Sequence, residues 1–150
     1  MDVRKIPRSR TNPQFNGEIL AESLAPHRIG YEPIGDLGGR RNKARQTDPS
    51  LNGYWRVSGF HNYADYALTP PFTEAFAHLR EIGRAHTCAI MCSEAVWWRC
   101  HRRIVTDYLL AAGETVKHIL GPGHVDDATL TPGAVVRAGG SVIYPAEPAA

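Results

Sequence analysis

Five apolar residues, Cys88-Ala89-Ile90-Met91-Cys92, lead into the polar pair Ser93-Glu94, and after Trp97-Trp98 a helical pattern starts near Arg99. A run of five is too short to be an independent helix, and its polar flanks mark it as a strand buried on both faces. A buried strand that passes through a loop into a helix needs neighbours on each side, so this stretch commits the chain to helices layered on a sheet.

The remaining elements are read from the same signals. Met1 to Arg4 is predicted as a strand end, because Val3 and Ile6 are apolar positions ahead of the turn-rich RSRTNPQFN. Asn16 is an N-cap candidate for a helix from Gly17 to about Ala25, with Phe15 and Leu20 placed as a staple across it. Tyr31 to Ile34 is a short strand, and a long polar segment from Gly35 to about Phe60 is a functional loop or lid. Helices follow at His61 to Leu68, ended by Thr69-Pro70, and from Pro71 to about Arg84, the second with Phe72, Ala75, Phe76 and Leu79 on one face. A helix from Arg99 to Gly113 and a strand from Thr115 to Leu120 complete the pattern. The tail from Gly121 to Ala150 is predicted to form a small hairpin, Val135-Val136 with Val142-Ile143-Tyr144, before a disordered end at Pro145 to Ala150.

This alternation predicts one three-layer, Rossmann-like α/β domain with a mainly parallel sheet and crossover helices over residues 1–120, followed by a C-terminal extension over 121–150. The full length of 150 residues, 43% of them hydrophobic, suits one core and is too short for two. No run of eighteen apolar residues occurs, so a membrane span is not expected, and the charged N-terminus lacks the apolar segment of a signal peptide. A cytoplasmic protein is expected. The odd count of three cysteines points to reduced thiols or metal ligands rather than a disulfide framework.

The net charge of +2 conceals strong clustering. Arg4, Lys5, Arg8 and Arg10, then Arg40, Arg41, Lys43 and Arg45, then Arg99, Arg102 and Arg103 hold eleven of the seventeen basic residues. Each cluster follows a predicted strand, and in parallel sheets ligands bind beyond the carboxyl ends of the strands. The clusters should therefore meet at one edge and face an anionic partner, a small molecule or a nucleic acid. In the Thr87–Arg103 stretch, Cys92 and Cys100 lie among arginines beside His101, an environment that lowers thiol pKa. Cys92, Glu94, Cys100 and His101 also offer four donors to a metal, although Cys-x7-Cys-His matches no standard finger. Cys88 reads as a small buried hydrophobe. Trp97 and Trp98 cannot face the same way; core packing is expected for both, and the alternative stacks Trp98 on a base.

The segments DVRKIPRSRTNPQFN, IGDLGGRR, FHNYADYALTPPF and MCSEAVWWRCHRRIV occur in this order. From Met1 to about Leu120 the chain resembles the prokaryotic domain-of-unknown-function family 488. The resemblance implies a compact α/β domain. Its polar motifs map onto Arg4, Pro7, Asn12, Pro13, Phe15, Leu37, Gly38, Gly39, Tyr63, Cys92, Glu94, Cys100, His101 and Arg102. Members usually carry a further strand, a Gly-His-Ser-like turn and a helix before the Asp-Val-Arg segment, so the domain is expected to be N-terminally truncated. An exposed sheet edge that favours self-association should follow.

The expected site is therefore an anion-binding one at the carboxyl edge of the sheet. Cys92, Glu94 and His101 are its catalytic candidates, Cys92 or Cys100 being the reactive or ligating thiol and Glu94 with His101 the acid/base pair. Arg4, Arg8, Asn12, Gly38, Gly39, Tyr63, Trp98, Cys100 and Arg102 are its ligand-binding candidates. An enzyme acting on a phosphate-bearing or nucleotide-like ligand is the first reading. A nucleic-acid accessory module using basic loops and Trp98 is the second, and a Cys/His metal-binding protein the third.

Overall fold

The molecule is known from a computed structural model that describes residues 1–147. Its principal helices are α1 (Gly17–Leu24), α2 (Ser58–Tyr66), α3 (Pro70–Ala85) and α4 (Arg102–Ala111). Two antiparallel pairs follow: β1 (Lys117–Gly121) with β2 (His124–Asp127), and β3 (Val135–Val136) with β4 (Val142–Ile143). The end of the tail, Pro148 to Ala150, lies outside the described residues.

The expected Rossmann-like parallel sheet does not form. Three of the four segments expected to build it do meet, but only through isolated parallel bridges from Asp2 to Pro33 and to Met91, while the fourth, expected at Thr115 to Leu120, pairs antiparallel with β2 instead. Asp2 N–H donates to Glu32 O at 2.9 Å, and Ile34 N–H to Asp2 O at 2.8 Å. On the other side Met91 N–H donates to Met1 O and Val3 N–H to Met91 O, at 2.9 and 3.0 Å. The ladder then stops for a local reason: Arg4 N–H turns back onto the Asp2 carboxylate, 3.1 Å away. What remains is a three-segment seam one residue deep, and the strands among the described residues are the two small antiparallel pairs.

Helices dominate the packing. In α3, Phe72, Ala75, Phe76 and Leu79 recur at i, i+3, i+4 and i+7, and Phe72, Ala75 and Leu79 are buried. Pro70 opens this helix, where a missing N–H costs nothing. Phe72 meets Tyr108 of α4 edge to face at 4.8 Å between ring centres. Val3, Leu37, Ile104 and Val105 have no exposed surface and close the core between α4 and the seam.

The long segment after Ile34 is less of a loop than expected. It holds two 3-10 turns, Gly35–Leu37 and Pro49–Asn52, and α2 begins within it. Two tyrosines of α2 pin the first turn: Tyr63 Oη donates to Leu37 O and Tyr66 Oη to Asp36 O, both at 2.6 Å. Arg41 lies over the Tyr66 ring at 3.9 Å and donates to the carbonyls of Gly35 and Gly38.

The extension beyond residue 120 is packed into the same core. β1 and β2 form a hairpin across that position, and β3 pairs with β4 as the turn chemistry predicts. Tyr144 is fully buried; its hydroxyl donates to Asp107 at 2.8 Å, and its N–H lies 3.2 Å from the Asn52 side-chain oxygen. No helix among the described residues is long and apolar enough to cross a membrane.

Candidate functional site

The loop after Cys92 turns through a 3-10 segment at Trp97–Arg99 before α4 begins, three residues later than the apolar pattern suggests. Between them Cys100 is extended (φ −127°, ψ 150°) and His101 is helical (φ −57°, ψ −17°). This abrupt change of backbone direction turns two adjacent side chains, which a regular element would separate, towards a common point. The Cys92 and Cys100 sulfurs and one nitrogen of His101 all lie within 4.8 Å of one another.

The His101 ring is held from several sides. Its Nε2 is 2.9 Å from the carbonyl oxygen of Val3 in the central segment. A carbonyl only accepts, so Nε2 carries the hydrogen and Nδ1 of the neutral ring presents its lone pair to Cys100 Sγ, 3.6 Å away. The Tyr63 ring packs against the imidazole at 5.0 Å between centres. Gly39 supplies the remaining space: a Cβ there would lie 2.7 Å from Nδ1. Gly38 has a different task, because a Cβ at that position would come within 2.4 Å of the Lys5 backbone nitrogen.

Cys100 is buried and accepts from Arg102 twice, from the backbone N–H at 3.4 Å and from Nε at 3.3 Å. Hydrogen bonding from Cys100 draws the Cys92 thiol well below its usual range, against the effect of burial and with help from the Glu94 N–H. The same bond, together with burial, pushes Cys100 up against the pull of Arg102. Cys88 stands apart and makes only a long contact to the His86 carbonyl.

These groups lie in the wall of a cavity of about 520 Å³. All three basic clusters contribute to it, through Lys5 and Arg8, Arg40, and Arg99, and Glu94 also lines it. Of the three arginines expected to hold the ligand, Arg8 lines this cavity with its side chain largely exposed, whereas Arg4 and Arg102 are consumed locally. Arg4 lines the cavity too, but its guanidinium is bound to buried Asp2 at 2.6 Å and to the Phe15 carbonyl at 2.7 Å. Arg102 is committed to Cys100 and to the Glu94 carbonyl. Lys5, Arg40 and Arg99 make no side-chain hydrogen bond or ion pair among the described residues, and Arg8 has only a 3.7 Å contact with exposed Glu18. The clusters were legible, but which member each local fold would consume was not.

Arg40 also has φ 57°, in the left-handed region that costs a side-chain-bearing residue about 1 kcal/mol or more. The remaining candidates fall as follows. Tyr63 and Gly39 reach the cavity, whereas Gly38 acts through its contact with Lys5. The Glu94 side chain lines the cavity but is not part of the Cys/His cluster. Asn12 lies elsewhere, its N–H held by Ser9 Oγ at 3.0 Å. Trp98 is outside the cavity and 45% exposed, contrary to the core packing expected for it, while Trp97 stacks on His118 at 3.9 Å.

No curated protein and no solved structure matches this chain. One family profile does, over residues 1–109, which include the Asp2–Arg4 seam, the Leu37-Gly38-Gly39 turn, Tyr63 and the whole Cys92–Arg102 cluster. The chain thus belongs to the family described as domain of unknown function DUF488.

Proposed function

We propose that the cavity binds an anionic small molecule and presents it to the Cys92, Cys100 and His101 side chains. The observation that carries this reading is the charge of the wall. With Arg4 committed to Asp2, four cationic side chains, Lys5, Arg8, Arg40 and Arg99, face one carboxylate, Glu94. Three of them, Lys5, Arg40 and Arg99, have no ion-pair partner among the described residues; like charges gathered this way repel one another and destabilise the fold, and an anion relieves that repulsion. The strained backbone at Arg40 supports the same reading, since such conformations cluster at ligand sites. A volume of about 520 Å³ fits a small molecule rather than a polymer strand. Exposed Trp98 lies away from this wall, so a nucleic-acid path across it has no stacking platform.

Isothermal titration of the full chain with inorganic phosphate at low salt tests the proposal. Saturable binding is expected, weakened about tenfold or more by Arg40→Gln and by Arg99→Gln, the loss of one charge-assisted hydrogen bond each. Heats indistinguishable from dilution, or variants that bind as the parent does, would overturn it.

A further inference from the structure

From the placement of three soft donors we infer a metal site: Cys92 Sγ, Cys100 Sγ and His101 Nδ1 hold one zinc-class divalent ion, whose fourth position opens to the cavity. The spacing is the first support. On a tetrahedral zinc ion, bonds of about 2.3 Å to sulfur and about 2.1 Å to nitrogen place a sulfur and a nitrogen about 3.6 Å apart. Cys100 Sγ and His101 Nδ1 stand 3.6 Å apart. Two sulfurs on such an ion are about 3.8 Å apart, so a set already within 4.8 Å closes around it with a movement of about 1 Å.

The surroundings of the donors are the second support. A ligating imidazole characteristically donates its other N–H to a carbonyl, which fixes the tautomer and aims the lone pair at the metal. The bond from His101 Nε2 to Val3 O at 2.9 Å does this. A ligating thiolate is stabilised by N–H donors, and Cys100 receives two from Arg102. The space beside Nδ1 exists because residue 39 is glycine; a Cβ would stand 2.7 Å from that nitrogen. Two sulfurs and an imidazole form a donor set that favours zinc over the oxygen-seeking calcium and magnesium.

Three protein ligands leave a tetrahedral ion one open position, the arrangement of catalytic rather than structural zinc. All three ligand residues line the cavity, so a water or an anionic oxygen of the bound molecule takes the fourth place. This last part rests on the cavity reading; the three-ligand site does not.

Cobalt(II) is the probe, because its spectrum reports ligand type and geometry. Titration of the purified, metal-stripped full chain is expected to give one equivalent of bound cobalt, d–d bands of tetrahedral intensity and a near-ultraviolet charge-transfer band sized for two thiolates. Cys92→Ser and His101→Ala are each expected to weaken binding about tenfold or more, while Cys88→Ser, outside the cluster, leaves it unchanged. A spectrum without thiolate charge transfer, an octahedral spectrum, or affinity equal to the parent in both cluster variants would overturn the site. The charge-transfer intensity of the parent counts the sulfurs directly, so the site can be accepted or rejected even where a variant fails to fold. Arg40→Gln and Arg99→Gln should keep the cobalt spectrum while losing phosphate. Cobalt binding without phosphate binding therefore refutes the cavity reading alone, and the reverse refutes the metal alone.

Discussion

Gly39 lies so close to His101 that a single methyl group at residue 39 would sit 2.7 Å from Nδ1. The neighbouring Gly38 is tighter still, but against backbone: its added Cβ would lie 2.4 Å from Lys5 N and 2.6 Å from Lys5 Cα. The consequences should differ in kind. Gly39→Ala is expected to cost about 1–3 kcal/mol, as the imidazole shifts to relieve the overlap. Gly38→Ala, which no rotamer change can relieve, should cost more than about 3 kcal/mol or prevent folding. Urea denaturation of the two variants orders them, and a Gly38→Ala protein within about 0.5 kcal/mol of the parent would refute the close approach.

Asp2 ties the seam together and sets an acid limit on stability. It is buried, bonded to Arg4 and to the Tyr31 hydroxyl at 2.5 Å. Burial pushes its carboxyl up, but the bonds from Arg4 and Tyr31 outweigh that and hold it below the ordinary 3.8. The unfolded chain then binds the proton more readily, so stability rises with pH through this window. The contribution is fully present above about pH 4 to 5 and is lost as pH falls through the folded-state value. Asp2→Asn should destabilise by about 3 kcal/mol at neutral pH, by leaving Arg4 buried without its partner. Because it removes the titrating group, the difference from the parent should shrink on acidification. A constant difference from pH 7 to pH 3 in thermal denaturation would contradict this.

Arg40 is a position where binding and stability should oppose one another. Glycine adopts φ 57° without steric cost, so Arg40→Gly is expected to raise stability by about 0.5–1 kcal/mol. The same change removes a cation from the cavity wall and should weaken phosphate binding. Denaturant midpoints and phosphate titration on one preparation check both halves.

Asp107 is a carboxylate with almost no exposed surface, which burial pushes above its ordinary range. Thr131 N–H at 2.8 Å and the Tyr144 hydroxyl at 2.8 Å are what keep it tolerable. Tyr144→Phe should therefore cost about 1–3 kcal/mol with the ring's packing retained. The penalty should be larger at pH 7 than at pH 4, since only the ionised carboxylate needs the lost donor as much. Equal costs at the two pH values, measured by urea denaturation, would argue against a charged Asp107.

How far the sequence reached depended on whether a feature was local. Period and punctuation located α3, α4, α1 and the β3–β4 hairpin, because Phe72 to Leu79 and Val135 to Val142 carry their signals within a few residues. The parallel sheet failed because Asp2-Val3-Arg4 reads as a strand by composition, while the chain spends Arg4 N–H on its own Asp2 carboxylate. Nothing in a single segment announces that choice. Likewise Asn16, a good N-cap by type, makes no cap bond and accepts from Ser9 N–H instead. At the site, Cys92, Cys100 and His101 were candidates by their chemistry, in a set that also held Glu94, which does not join them. The backbone turn that lets neighbours 100 and 101 point together, and the exchange of Arg4 and Arg102 for Lys5, Arg40 and Arg99, required coordinates.

The family match ends at residue 109, two positions past Asp107, whose hydrogen-bond donors lie at 131 and 144. A fragment cut where the similarity stops would retain every side chain of the Cys/His cluster, yet strip the Asp107 carboxyl of its Thr131 and Tyr144 donors and open the part of the core that Tyr144 and Val142 fill. The tail is thus the lid of the core rather than an appendage. Those who dissect this chain should treat residues 110–144 as belonging to the smallest unit that can carry the site.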